Sequence, residues 1–273
     1  MLTPKQLQEI EEFAKEIRKK TLYMIGNLGV GHIGGALSIV DILALLYGNT
    51  MKIRPNQPRW EERDILVLSK GHAGPALYAT LALKGYFDIA ELDTLNQGGT
   101  NLPSHCDMTK TPGIDMTTGS LGQGLSAACG LAYANKLDKK ESIIYAIIGD
   151  GESQEGQNWE AAMFAAHYRL NNLIAFTDYN KMQIDGTTDE IMSLGEIEQK
   201  WASFGWFTQR VNGHDIEAMN KAITVAQKET KRPSMIILDT IKGKGAAFCE
   251  GLVSNHNMAF DSVIAEKAIA ELG

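Results

Sequence analysis

Apolar residues open the chain at helical spacing. Ile10, Phe13, Ile17, Leu22 and Ile25 recur on roughly one face as far as Gly26. Thr3 stands where an N-cap belongs, Pro4 at the first helical position and Gln6 three residues after the cap. The glycines between Gly29 and Gly35 predict a turn, and a second helix is expected from Ser38 to about Leu46. Ile65-Leu66-Val67-Leu68 reads as a short buried strand ending in Ser69-Lys70-Gly71-His72. Pro75 to Leu83 reads as a helix closed by Gly85.

Residues 96 to 120, rich in Gly, Thr, Pro and Asn, form a long loop in this reading, and such loops more often carry function than not. Helical patterns follow at Leu121–Leu137, Asn158–Tyr168 and Ile216–Gln227. Between them lie continuous apolar runs at Ile143–Ile148, Leu173–Phe176 and Met235–Leu238, the mark of strands buried on both faces. Strands alternating with helices predict an α/β fold, a parallel sheet with helices on both faces and right-handed crossovers. Without an internal repeat or a linker-like shift in composition, residues 1–273 read as one domain. Residues 242–273 are expected to be its loop-rich C-terminal segment, with 242–257 lacking any clear period.

Composition narrows the function classes. The net charge of -7 and pI near 5.4 argue against general binding to nucleic acid or acidic membranes. No apolar run approaches a membrane span, and the polar start Met1-Leu2-Thr3-Pro4-Lys5-Gln6 has no secretory apolar core. Cys106, Cys129 and Cys249 are odd in number and far apart, so neither a disulfide framework nor a zinc site follows. A reduced, cytoplasmic setting is the expectation.

The chemistry concentrates at strand ends. Gly149-Asp150-Gly151-Glu152-Ser153 directly follows one apolar run, and Asn180, thirty positions after Asp150, directly follows the next. Open parallel sheets bind ligands at these C-terminal ends. Asp150 offers a carboxylate, Asn180 an amide oxygen and Met182 a backbone carbonyl, an oxygen set suited to Mg²⁺ completed by phosphate and water. Gly151 lets a diphosphate approach the backbone, and the following helix N-terminus favours an anion. Gly-Asp-Gly alone would be an ordinary turn; its place after a buried strand, with the asparagine after the next, makes it specific. Gly29-Val30-Gly31-His32-Ile33-Gly34 also satisfies a dinucleotide-binding pattern, but a helix precedes it and no strand follows before position 60, so that reading is rejected.

The Asp150–Asn180 pair is similar to the thiamine diphosphate (ThDP) motif of the transketolase superfamily. Gly31-His32-Ile33-Gly34-Gly35, Ser69-Lys70-Gly71-His72-Ala73-Gly74-Pro75, Pro103-Ser104-His105 and Thr117-Thr118-Gly119-Ser120-Leu121-Gly122-Gln123-Gly124 extend the resemblance over nearly the whole chain. It is strongest to the separately encoded N-terminal subunits of split transketolases. The resemblance implies a diphosphate-binding (PP-type) domain holding ThDP and Mg²⁺, or another divalent cation such as Ca²⁺ or Mn²⁺. By the same resemblance Asp150, Asn180 and Met182 hold the metal, and His72, Gly151, Asn180 and His256 face the cofactor's diphosphate end. Gly119, Ser120 and Leu121 meet the aminopyrimidine ring, Ser120 standing equally where it would cap the next helix. His32, His105 and His256 line the substrate channel as catalytic residues, and Glu155 and Glu160 either link two cofactors across a dimer axis or are plain helix-surface carboxylates. Ile33 and Cys106 replace prolines common in the family. Cys106 reads as a spectator thiol, His167 as structural, and His214 as part of a turn before a helix capped by Asp215.

The glutamate that activates the cofactor in this family, and most basic residues for a sugar phosphate, belong to a pyrimidine-binding domain for which residues after Met258 leave no room. The expectation is therefore an α2β2 assembly with a C-terminal transketolase subunit, transferring a two-carbon ketol unit between sugar phosphates. The alternatives are another ThDP reaction (an unusual sugar or sulfosugar donor, 1-deoxyxylulose-phosphate-type synthesis, 2-oxoacid decarboxylation) or a non-catalytic ThDP-binding scaffold.

Overall fold

The computed structural model describes residues 1–273. Five parallel strands form the central sheet: β1 (Ile65–Leu68), β2 (Ile144–Gly149), β3 (Leu173–Tyr179), β4 (Phe207–Asn212) and β5 (Ser234–Asp239), in the spatial order β1-β2-β3-β5-β4. Ten α-helices accompany them: α1 (Pro4–Leu28), α2 (Ile33–Leu37), α3 (Val40–Leu45), α4 (Gly74–Leu83), α5 (Gln123–Leu137), α6 (Gly156–His167), α7 (Thr188–Met192), α8 (Ile197–Ser203), α9 (Ile216–Ala226) and α10 (Ser262–Glu271).

Side chains alternate across the strands, and each apolar strand therefore feeds two cores. Tyr145, Ile147, Ile174, Phe176, Ile236 and Leu238 pack on one face with α1, α3, α4 and α9. Ile144, Ala146, Ile148, Leu173, Ala175, Met235 and Ile237 pack on the other with α5, α6 and α8. This is why these segments read as unbroken apolar runs. Helix α1 starts as expected: Thr3 caps the Gln6 N–H and the Gln6 side chain returns to the Thr3 backbone. No helix is long and apolar enough to cross a membrane.

Three local departures have physical causes. The glycines expected to form a turn before residue 36 lie partly inside α2, where they serve close approach: a Cβ on Gly34 would sit 2.0 Å from Asn255 Oδ1. Edge strand β4 (Phe207–Asn212) escaped the apolar-run criterion because its residues are half-buried or exposed and mostly polar. The expected loop-rich C-terminal segment ends in a helix, α10, which packs Ala265 against Gly26 of α1; small residues let the two helices meet but carry little hydropathy signal.

Candidate active site

Strand register brings the chemistry together. Gly149 of β2 lies opposite Asp178 of β3, and Asp178 opposite Leu238 of β5, so three C-terminal strand ends share one edge. The buried Asp150 carboxylate accepts the Gly151 N–H at 2.7 Å and the Lys181 N–H at 2.5 Å. Lys181 holds the left-handed conformation (φ 63°), unusual for a lysine, which turns that N–H onto Asp150. Burial, then the neighbouring Asp178 charge, pushes the Asp150 carboxyl up to about 7.

Asp178 has the cation that Asp150 lacks. Lys70 Nζ lies 2.5 Å from Asp178 Oδ2, with both side chains buried. Ser38 Oγ donates to the same oxygen at 2.6 Å and the Thr240 hydroxyl to the other. Burial opposes the Asp178 charge, but Lys70 and these bonds hold its pKa below the usual range. A carboxylate can only accept, so the Asn180 amide turns its NH₂ to Asp178 at 3.1 Å and keeps its oxygen free of that contact.

A cavity of about 320 Å³ opens over this edge. Its lining includes Gly35, Lys70, His72, Leu121, Asp150, Gly151, Asn180, Met182, Lys242 and His256. Gly151 is demanded by packing as well as by ligand approach, because a Cβ there would lie 2.8 Å from the Gln183 Cβ. Burial and the nearby Lys70 bring the Lys242 ammonium down to about 8. No group of three or more His, Cys, Asp or Glu side chains could by itself cage a metal. Asp150, the Asn180 amide and the Met182 carbonyl therefore suit a hard cation that takes its remaining oxygens from an anionic ligand.

Beside this charged end stands a wall of imidazoles. The His32 ring centroid lies 5.3 Å from that of His72, 5.5 Å from His105 and 5.5 Å from His256; His72 and His256 are 5.0 Å apart. Burial is the first cause lowering all four pKa values. His256 is brought down to about 4, with Lys242 adding to the effect. Near neutral pH each ring thus has one donor and one acceptor nitrogen, a set that matches vicinal hydroxyls.

One carboxylate ties the frame. Buried Glu152 accepts from the Ser69 hydroxyl, from Gly122 N–H at 2.9 Å and from Gly149 N–H at 3.0 Å. It joins the end of β1, the start of α5 and the end of β2 below the cavity.

The family profile described as "Transketolase, thiamine diphosphate binding domain" matches residues 10–272. The chain belongs to the transketolase family. It is 60% identical over 264 residues to the 6-deoxy-6-sulfo-D-fructose transketolase subunit SqwG of Clostridium sp. (strain MSTE9), covering 97% of this chain and 96% of that one. It is 38% identical to an apulose-4-phosphate transketolase subunit from Phocaeicola vulgatus, covering 98% and 95%. Among solved structures, Campylobacter jejuni transketolase superposes with a TM-score of 0.92 at 33% identity, covering 100% of this chain and 43% of that one.

Within this transketolase-type chain, Asp150, Gly151, Asn180, Met182, His72, His256 and Leu121 share one cavity, and His32 and His105 adjoin it through the imidazole cluster. Gly119 (φ 147°) packs its Cα against His105: a Cβ there would lie 3.0 Å from the ring. Ser120 is exposed and does not cap α5, whose cap position is Gly122. Glu155 lines the cavity edge, whereas Glu160 is exposed on α6. Burial raises the Cys106 thiol to about 12, which leaves it inert. Asp215 caps α9 through the Ala218 N–H, but His214 is more than a turn residue, because its ring bonds both Asp41 and the Ile241 N–H.

Lys70, Glu152, Asp178 and Lys242 are the site residues that sequence reasoning missed. The available signal was a charge in an otherwise apolar strand, as for Asp178, or directly at a strand end, as for Lys70.

Proposed function

We propose that this chain is the ThDP- and metal-binding half of a two-chain transketolase. It moves a two-carbon ketol unit from an anionic ketose to an aldose. The observation that carries the reading is one opening lined by Asp150, Asn180, Lys242, His72 and His256, with His32 and His105 adjoining it through the imidazole cluster.

Asp150, the Asn180 amide and the Met182 carbonyl hold Mg²⁺, with Ca²⁺ or Mn²⁺ as substitutes. Asp150 without a cation is a buried carboxylate facing another, and the metal relieves that repulsion. Lys242, His72, the Gly151 backbone and His256 meet the diphosphate, and Gly119, Ser120 and Leu121 meet the aminopyrimidine ring. When bound, ThDP supplies the nucleophilic carbon that takes up the ketol fragment. His32, His105 and His256 bind and orient the sugar hydroxyls and hold or release a proton at the reacting oxygens as catalytic residues. Their rings remain neutral through the physiological range and serve as donors and acceptors alike.

The sulfofructose and apulose-4-phosphate transketolase relatives, matched over nearly their full length, carry the word "subunit" in their names, which supports a second chain bearing the pyrimidine-binding domain, in an α2β2 assembly. The 60% match to a sulfofructose transketolase subunit makes 6-deoxy-6-sulfofructose the first donor to test, ahead of ketose phosphates. The test is ketol transfer with ThDP and Mg²⁺, by this chain alone and with the partner, over sulfofructose and ketose phosphates as donors and aldose phosphates as acceptors. Activity only with the partner, highest with sulfofructose, is expected. Full activity alone would refute the two-chain reading, and no ketol transfer from any donor would refute the reaction.

A further inference from the structure

Lys242 reaches the cavity from a loop, and that loop is gripped from outside. The Ile241 N–H donates to His214 Nε2 at 2.9 Å. Three residues on, the Lys244 carbonyl accepts from Arg18 Nε at 2.8 Å. The two arms meet at one carboxylate: Asp41 Oδ2 lies 2.7 Å from His214 Nδ1 and 3.1 Å from Arg18 Nη2. All three side chains are nearly buried, at 10% exposure for Arg18, 12% for Asp41 and 13% for His214. Arg18 belongs to α1, Asp41 to α3 and His214 to the β4–α9 turn, so the grip comes from three elements outside the loop.

The partners fix the imidazole's state. Nε2 accepts a backbone N–H and so carries no proton, and Nδ1 therefore donates to Asp41. Gly245 (φ 85°) lets the loop lie against Arg18, since a Cβ there would fall 2.6 Å from Arg18 Cδ. Between the two gripped positions the chain turns Lys242 inward, where its Nζ stands 3.4 Å from His256 Nδ1. The Lys242 carbonyl accepts from Asn255 within the C-terminal segment, and the Gly243 N–H donates to the Gly34 carbonyl of α2 at 3.0 Å. The Thr240 N–H also meets the Tyr179 carbonyl at 3.3 Å, and the Arg18–Asp41–His214 set is the side-chain network that holds the backbone on both sides of Lys242.

We infer that Arg18, Asp41 and His214 form a clamp whose purpose is to aim Lys242 into the cavity, with His214 a positioning residue for ThDP binding. The clamp rests on the reading of that cavity as a diphosphate site. It touches neither cofactor nor substrate and acts through the backbone at 241 and 244. Side-chain length matters as much as polarity: glutamine can accept the Ile241 N–H and donate to Asp41, and alanine can do neither.

The experiment uses the full chain with its partner. Hydrogen exchange of the 240–252 segment, dissociation constants for Mg²⁺–ThDP and melting temperatures are measured for wild type, H214A, H214Q and D150A. H214A is expected to lose at least tenfold protection in that segment and to bind Mg²⁺–ThDP about tenfold more weakly. H214Q should recover most of both, with all melting temperatures within a few degrees. Loosened exchange with unchanged ThDP affinity in H214A overturns the clamp's role, provided D150A binds ThDP poorly. If D150A also binds normally, the diphosphate reading itself has failed. If H214A does not fold, H214N, which keeps one of the two bonds, replaces it under the same criteria. Equal losses in H214A and H214Q, matched by equal falls in melting temperature, assign His214 to general stability and overturn the inference.

Discussion

The charged groups and the imidazoles around the cavity solve burial in opposite ways. At the strand ends Lys70, Asp178 and Glu152 are buried and charged, and each is bonded to partners that come from other elements. The histidine wall is half-buried, uncharged and loosely bonded: the Ser104 hydroxyl meets His105 at 3.0 Å and Lys242 approaches His256, while His32 and His72 meet mainly neighbouring rings. A buried charge must be paired at once or it costs several kcal/mol. A neutral imidazole tolerates an open side, and can wait for a hydroxyl. The charged groups should therefore be both structural and functional, and the histidine wall mainly functional.

Asp150 is the group that joins the two roles, being a buried carboxyl, raised to about 7, with no cation of its own. Asp150→Ala is expected to weaken Mg²⁺–ThDP binding more than a hundredfold by titration calorimetry, with little loss of folding stability, because it removes a buried carboxyl that has no cation of its own. Undiminished binding would break the contrast at its centre. Lys70→Met should act chiefly on stability instead. It strands the Asp178 carboxylate in the core, and about 3–5 kcal/mol should be lost in urea unfolding. A loss below about 1 kcal/mol would mean that Asp178 finds another partner or a proton.

The same contrast decided what could be read from the sequence. Strands β2, β3 and β5 were legible because burial on both faces leaves an apolar run, whereas β4 at the sheet edge carries Thr208, Gln209 and Arg210 in succession, has no fully buried residue and leaves none. The metal-type oxygens stood out because they directly follow buried apolar runs, and the histidines because they sit in motifs that resemble those of the family. Lys70, Glu152 and Asp178 were not: a buried ion pair depends on which strands are neighbours, and residues 70 and 178 meet only through the sheet order. The Arg18–Asp41–His214 set was illegible for the same reason, its members lying on three elements far apart in sequence.

On the histidine wall, His32→Ala should leave stability within about 1 kcal/mol, since it removes no buried charge and few bonds. Transfer activity should fall by roughly ten- to a hundredfold, the loss of one or two hydroxyl bonds at about 1.4 kcal/mol per factor of ten. A large stability loss without a specific activity defect would make the wall structural and erase the distinction.

The smallest expected effect is a pH signature. Histidines whose pKa is lowered on folding take up protons less readily when folded than when unfolded. Their contribution to stability is therefore intact above the unfolded value near 6.5 and is lost as pH falls towards the folded value. For His256 that window runs from about 6.5 down to about 4. His256→Gln keeps polarity without a titrating ring, so its urea midpoint should match wild type at pH 7.5 and exceed it at pH 5. The gain is expected to be on the order of 1 kcal/mol, because the ring is only partly buried and water screens it. Parallel curves at both pH values would mean that His256 accepts its proton in the folded chain as easily as in water, and that the wall's neutrality is not imposed by its burial and by Lys242.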